Sequence, residues 1–323
     1  MTTPNPPQET PPVAIIGAGS IGAAFALLFA SAGRRVHIYD PSAQQRAALI
    51  EQVAASWRDL DSFGLAVSTE AAVRERLRVF DSLRAAAASA DYVQECAPEQ
   101  VQVKREIFAE LDACTRPDAV LASASSALPV SRFTQDLPGA QRCLIAHPGN
   151  PPFLLRVIEL VPAVFTDASV LKRAQRLLTS VGLSPIVVRK EIAGFVFNRL
   201  QGAVLREAYC LVRDGVASVE DIDCIVRDGL GLRWSVVGPF ETVDLNTRGG
   251  IASHAAKLGP AYAAMGAERG QHDPWTAELV KTVEEQRRAL LPLEQWHERV
   301  RWRDRALMAA LAARKHPPEG APD

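Results

Sequence analysis

The run Gly17-Ala18-Gly19-Ser20-Ile21-Gly22 is compatible with few architectures. It closes a short apolar segment, VAIIG at 13–17, and opens an uncharged stretch, 20–32, that ends at Gly33. That context predicts a buried strand, a tight turn and a helix, with Gly33 just past the helix end. In G-x-G-x-x-G the first glycine permits the turn and the second lets backbone approach a pyrophosphate. The third lets helix and strand pack closely, and the helix N-terminus supplies positive potential. A second strand, Val36–Asp40, ends in a carboxylate 23 residues after Gly17. An acid there bonds ribose hydroxyls and repels a 2′-phosphate, and the next residues, Pro41 and Ser42, bring no cation. The reading is a dinucleotide site for NAD rather than NADP. Its bland alternative is a glycine-rich turn with a helix-capping aspartate.

The alternation continues. YVQE (92–95), VLASA (120–124) and CLIAH (143–147) read as strands, with a helix over 101–114 between the first two. VIELVP (157–162) and SPIVVRK (184–190) extend the series. Such alternation predicts a parallel sheet covered on both faces. Beyond about residue 192 helical periodicity takes over, through 195–213, 218–228 and 278–314. The expected fold class is therefore α/β: a Rossmann-type doubly wound sheet over 13–192, then an all-α domain over 193–315. The proline-rich ends, 1–12 and 316–323, read as disordered tails.

Several functions are disfavoured. The 36 basic and 37 acidic side chains give no electrostatic case for nucleic acid or an anionic membrane. Residues 10–33 carry no charge, but four glycines and the lack of a preceding basic region argue against a membrane span or a signal peptide. Five cysteines without a C-x-x-C pair favour a reduced cytoplasm and no metal site.

Four polar residues suit removal of a hydroxyl proton beside a hydride acceptor. His147 ends a strand, and ligands of such sheets bind outside the strands' carboxyl ends. Histidine is the side chain poised to take a proton near neutral pH. Glu159 lies inside an apolar run, where an unpaired carboxylate is costly; a nearby imidazole relieves that cost, and the acid fixes the ring's tautomer. Ser126, in a run of small residues, and Asn198, at the start of the second domain, suit the substrate oxygen. Each also has a structural reading: a strand-end histidine, a turn serine. A free carboxylate on the substrate calls for a guanidinium, for which Arg233 and Arg156 are candidates; both also have a structural reading.

The order Ser125-Ser126, His147-Pro148-Gly149-Asn150-Pro151-Pro152, Glu159-Leu160-Val161-Pro162 and Gly194-Phe195-Val196-Phe197-Asn198-Arg199 resembles the 3-hydroxyacyl-CoA dehydrogenase superfamily. Gln94–Glu99, Lys104, Asp228–Arg233, Gly238–Thr242 and Trp302-Arg303-Asp304 are similar to its branch containing L-gulonate 3-dehydrogenase, or lambda-crystallin. The resemblance runs from about Val13 to Lys315. It implies His147 as base with Glu159 behind it, and Ser126 and Asn198 on substrate and cofactor. It implies Glu99 and Lys104 near the nicotinamide half, and Ser20 and Ile21 offering backbone to the pyrophosphate. It also implies a helical second domain that builds a homodimer. Gly149 and Arg156 depart from the pattern beside the reacting residues.

The activity so implied is NAD-dependent oxidation of the 3-hydroxyl of a small acid such as L-gulonate. The alternatives are a 3-hydroxyacyl-CoA substrate, for which no basic cluster stands out, and carnitine, similar around Gly229–Trp234 but without a clear aromatic cage. A non-enzymatic crystallin-like or NAD-sensing protein is disfavoured by retention of all four reacting residues.

Overall fold

The computed structural model describes residues 10–235, 238–246 and 250–270 and, beyond these, positions 278, 281, 285, 289, 292–295, 298, 301, 302, 305, 308, 309 and 312. The tail expected over 316–323, most of that over 1–12 and most of the helix over 278–314 lie outside the described residues. The chain divides into two units, Met1–Arg199 with Arg301–Asp323, and Leu200–Val300.

The first unit runs β1 (Val13–Ile16), α1 (Ser20–Ser31), β2 (Val36–Tyr39), α2 (Ala43–Ser62), α3 (Glu70–Arg76), β3 (Leu77–Phe80), α4 (Leu83–Ala87) and β4 (Tyr92–Glu95). It continues with α5 (Val101–Cys114), β5 (Val120–Ser123), α6 (Ser131–Thr134), β6 (Cys143–Pro148), β7 (Val157–Pro162), α7 (Ala168–Ser180) and β8 (Ser184–Val187). One sheet orders them β3-β2-β1-β4-β5-β6-β7-β8. All neighbours are parallel except β6 and β7, which pair antiparallel. The exception follows from the chain: the eight residues 149–156 between β6 and β7 are too few for a parallel crossover, which takes a dozen or more.

Strand parity divides the core in two. Leu144, Ala146, Ile158 and Leu160 face one cluster with α1 and α7; Ile145 and Val161 face another with Phe108 and Phe195. Helix α1 is buried from Gly22 to Ala30, which explains why its sequence carries no charge. Gly33, at φ 87°, takes the left-handed position past its end. Ser42 and Thr69 cap α2 and α3 by accepting from Gln45 N and Ala72 N.

The second unit contains most of α8 (Phe197–Arg213), then α9 (Val219–Cys224), α10 (Leu232–Trp234), α11 (Pro239–Asn246) and α12 (Gly250–Arg269). Ser218 and Asp221 form a reciprocal capping box at α9. The helix expected over 218–228 gives way at Ile225 to a π-helical segment through Gly231. Arg269 binds Glu207 and Asp214, tying α12 to α8 and its following turn. Among the described residues no helix is long and apolar enough to cross a membrane.

Candidate active site

The glycine turn has the shape its sequence requires. Gly17 adopts φ 109°, and a Cβ there would sit 2.8 Å from the Cys96 carbonyl carbon and oxygen. A Cβ at Gly22 would drive into the Gly17 carbonyl oxygen, so the helix can start this close to the strand only with glycine there. Gly19 differs: nothing lies within 4 Å of a Cβ built on it, so that side of the turn is open. Helix α1 starts at Ser20 with no side-chain cap and no acid in its first turn. Its first amides and dipole are thereby left for an anion. Ile21 is half-buried and packs on the core rather than standing free. Asp40, at the tip of β2, accepts from Ala18 N and from Ser42 N, both at 2.8 Å. The carboxylate is thereby fixed over the turn. Arg46, one turn into α2, donates to the Asp40 carbonyl at 2.6 Å. These residues fit a dinucleotide: two glycines hold the cradle shut behind, one leaves it open in front.

His147 and Glu159 face each other across β6 and β7, in register. Nδ1 lies 2.8 Å from Glu159 Oε2, with the two residues only 7% and 4% exposed. Burial pushes the Glu159 carboxyl up, but His147 and the amides of Phe197 and Val196 outweigh it and hold the acid below its ordinary range. An ionised carboxylate only accepts, so Nδ1 carries the proton and Nε2 of the neutral ring keeps its lone pair. Nε2 has no hydrogen-bond partner among the described residues. The Phe195 and Phe197 rings stand 5.6 Å and 6.2 Å from the imidazole, fixing its plane.

One turn joins these groups to the other two candidates. Gly194 and Phe195 both take positive φ, 74° and 50°. This bends the chain so that Val196 N and Phe197 N donate to Glu159 Oε1 at 2.8 and 2.9 Å. Phe195 holds its unfavourable backbone because its ring is fully buried. Gly194 N donates to Ala127 O, and Asn198 Nδ2 donates to Ser126 O at 2.6 Å. Ser126 is exposed, and its hydroxyl has no protein partner among the described residues.

Glu99 builds the Ser126 loop. Its carboxylate accepts from Ser125 Oγ at 2.6 Å and from the amides of Ser126, Ala127 and Leu128, each at 3.0 Å. Partial burial raises this acid, while the Ser125 hydroxyl and the three amides prevail and hold it low.

Two further candidates lie in the first unit. Lys104, 1% exposed, is sealed below the loop: Nζ bonds both Glu95 oxygens at 2.9 Å, with Ala97 O and Ser123 Oγ further out. It ties the end of β4 to α5 and to the loop that follows β4. Arg156 has the strand parity of Ile158 and Leu160, opposite to Glu159, and its side chain lines a cavity on the α1 side of the sheet. Successive strand residues face opposite sides, so it does not join the His147–Glu159 pair. Arg233 is exposed in α10 of the second unit. Glu95, Ser123 and the two amides on Glu159 were not singled out from sequence as site groups. An acid in the buried strand YVQE was the available signal for Glu95, by the reasoning that singled out Glu159.

The NAD binding domain of 3-hydroxyacyl-CoA dehydrogenase matches residues 12–192, and the C-terminal domain of the same enzymes matches residues 194–290. The chain belongs to the 3-hydroxyacyl-CoA dehydrogenase family. Members are NAD-dependent oxidoreductases acting on CH–OH groups, and the NAD binding domain indicates NAD as the cofactor. Within the family, lambda-crystallin of Oryctolagus cuniculus is 35% identical over 300 residues, covering 91% of this chain and 93% of its own. L-carnitine dehydrogenase of Streptomyces coelicolor is 38% identical over 271 residues, covering 84% and 81%. Among solved structures, a 5-formyl-3-hydroxy-2-methylpyridine 4-carboxylic acid 5-dehydrogenase superposes with TM-score 0.78 at 26% identity, over 93% and 96% of the two chains.

Proposed function

We propose that this family member oxidises the 3-hydroxyl of a small, free hydroxy acid, with His147 as general base. The observation that carries the reading is the turn Gly194–Asn198, which bonds Glu159 with two amides and the Ser126 loop with the Asn198 side chain. His147 Nε2 takes the hydroxyl proton, and the ring becomes an imidazolium that Glu159 stabilises at Nδ1. The amides of Val196 and Phe197 keep the carboxylate from turning away as charge develops. Ser126 Oγ and the Asn198 amide hold the substrate oxygen so that the carbinol hydrogen faces the nicotinamide. NAD, when bound, accepts the hydride released at that carbon. Glu99 and the buried Glu95–Lys104 pair act through the loops they hold. We propose Arg233 for the substrate carboxylate, and residues 193–315 as a substrate and dimerisation domain.

Lambda-crystallin and an L-carnitine dehydrogenase match at similar identity, so the substrate test must separate acid classes. L-Gulonate, 3-hydroxybutyrate, its CoA thioester and L-carnitine are offered with NAD, and NADH absorbance is followed. The highest kcat/KM is expected with a free, uncharged-chain acid. A tenfold or greater preference for the thioester or for carnitine, about 1.4 kcal/mol of discrimination, overturns the substrate assignment.

A further inference from the structure

On the face of the sheet away from His147, a cavity of about 430 Å³ opens at the C-terminal end of α1. Leu27, Leu28, Leu60, Phe153 and Val181 supply apolar walls, and Arg156 supplies the one charged group of its lining. The volume falls within the range of small-molecule sites, which combine apolar walls with a few placed polar groups. None of its lining belongs to the glycine turn or to the set His147, Glu159, Ser126 and Asn198. Helix α1 separates the cavity from that turn, by about 10 Å between Ser20 and Leu27 at 1.5 Å per residue.

Arg156 is out of place by ordinary rules. It interrupts an apolar stretch, FLLRVIELV, and stands half-buried. No carboxylate pairs with its guanidinium and no carbonyl accepts from it among the described residues, although five donors in a planar fork are available. Burial alone acts on its charge and makes the cationic form less favourable. Its guanidinium lies against Gly182, which adopts φ 85° and whose added Cβ would come within 3.4 Å of Nη1. The absent side chain leaves the fork room beside the pocket wall. A partly desolvated charge without a partner costs stability unless something else meets it. A guanidinium fork matches a carboxylate bidentately, and the surrounding leucines and phenylalanine match a hydrocarbon body.

We propose that this cavity is a second binding site, for a small organic carboxylate with an aliphatic or aromatic body, the anion held by Arg156 and the body by the apolar walls. The site is separate from the reacting pair, and its occupation does not depend on the assignment of His147.

The test titrates the full-length protein calorimetrically with hexanoate, and with hexanol and hexylamine as uncharged and cationic controls. Saturable hexanoate binding at least tenfold tighter than hexanol is expected, with Arg156→Met lowering it tenfold or more. NAD binding by Arg156→Met reports that the variant is folded. Val67, 72% exposed at the rim, gives a test independent of Arg156. Val67→Lys should tighten hexanoate and Val67→Glu weaken it, each about two- to threefold as for a screened surface charge. Non-saturable binding overturns the proposal. So does affinity unchanged in folded Arg156→Met, which would put hexanoate in the reacting site instead, or affinity indifferent to the charge at position 67.

Discussion

His147 and Glu159 are direct cross-strand partners in the sheet's antiparallel pair, β6 and β7, and their side chains meet at 2.8 Å on one face. Register alone makes them partners. Shifting β7 by one residue would send Glu159 to the other face, into the cluster with α1. The short 149–156 connection that forces the antiparallel turn thus sets imidazole and carboxylate together.

That carboxylate gives a pH signature. Glu159 titrates below its ordinary value in the folded protein, so it contributes stability that is full above the unfolded value, about 4.3, and is lost as pH falls through the lowered folded value. The melting temperature of the wild type should therefore fall more steeply below about pH 4.3 than that of Glu159→Gln. Parallel acid profiles for the two proteins would contradict the assignment.

Asp40 should decide between the two nicotinamide cofactors. Its carboxylate is pinned over the glycine turn, while Arg46 binds the Asp40 carbonyl nearby. The wild type should prefer NAD. If Asp40 faces the ribose, Asp40→Ala removes the repulsion and leaves the Arg46 guanidinium at the β2 end, so the NADP to NAD ratio of kcat/KM should rise tenfold or more, about 1.4 kcal/mol. Equal use of both cofactors by the wild type would refute this reading of the β2 end.

Lys104 and Glu95 should matter to stability before activity. The ammonium is buried against both oxygens of Glu95. Lys104→Met strands that acid and should cost about 3–5 kcal/mol, the usual penalty for breaking a buried pair. Adding Glu95→Gln should recover part of the loss in denaturant unfolding. If the single substitution is neutral, the pair is not the clamp that the geometry suggests.

The fold was legible where burial imposes a pattern. The glycine turn, α5 over 101–114 and the strands β4 to β7 have apolar runs that admit little else. Strand β3, Leu77–Phe80, escaped notice because it is a sheet edge with two exposed residues and only a short run. The π-helical segment after Cys224 was hidden because such segments are rare, short insertions within α-helices, so a helical pattern there reads as α. At the site, His147 and Glu159 could be named because an acid in an apolar strand demands a partner. Which face a residue takes was not readable as directly: Arg156 was paired with the site by closeness in sequence, and strand parity separates it.

A homodimer is expected from the second unit's own surface. Leu200, Ile225, Leu232, Phe240, Tyr262 and Met265 are all more than half exposed. Gathered into one patch, such side chains would serve as an association surface. Light scattering at micromolar concentration should give about twice the 34.9 kDa chain mass. A monomer would remove the dimer from the account.

The most direct test of the account is kcat and melting temperature measured on one preparation of His147→Gln. If His147 is the base, kcat for oxidation should fall by about 10²–10⁴-fold, with NAD affinity little changed because the glycine turn and Asp40 remain intact. A His147–Glu159 pair that only secures β6 to β7 gives the reverse: a lower melting temperature with turnover nearly preserved. Full turnover by the folded variant would contradict the central claim.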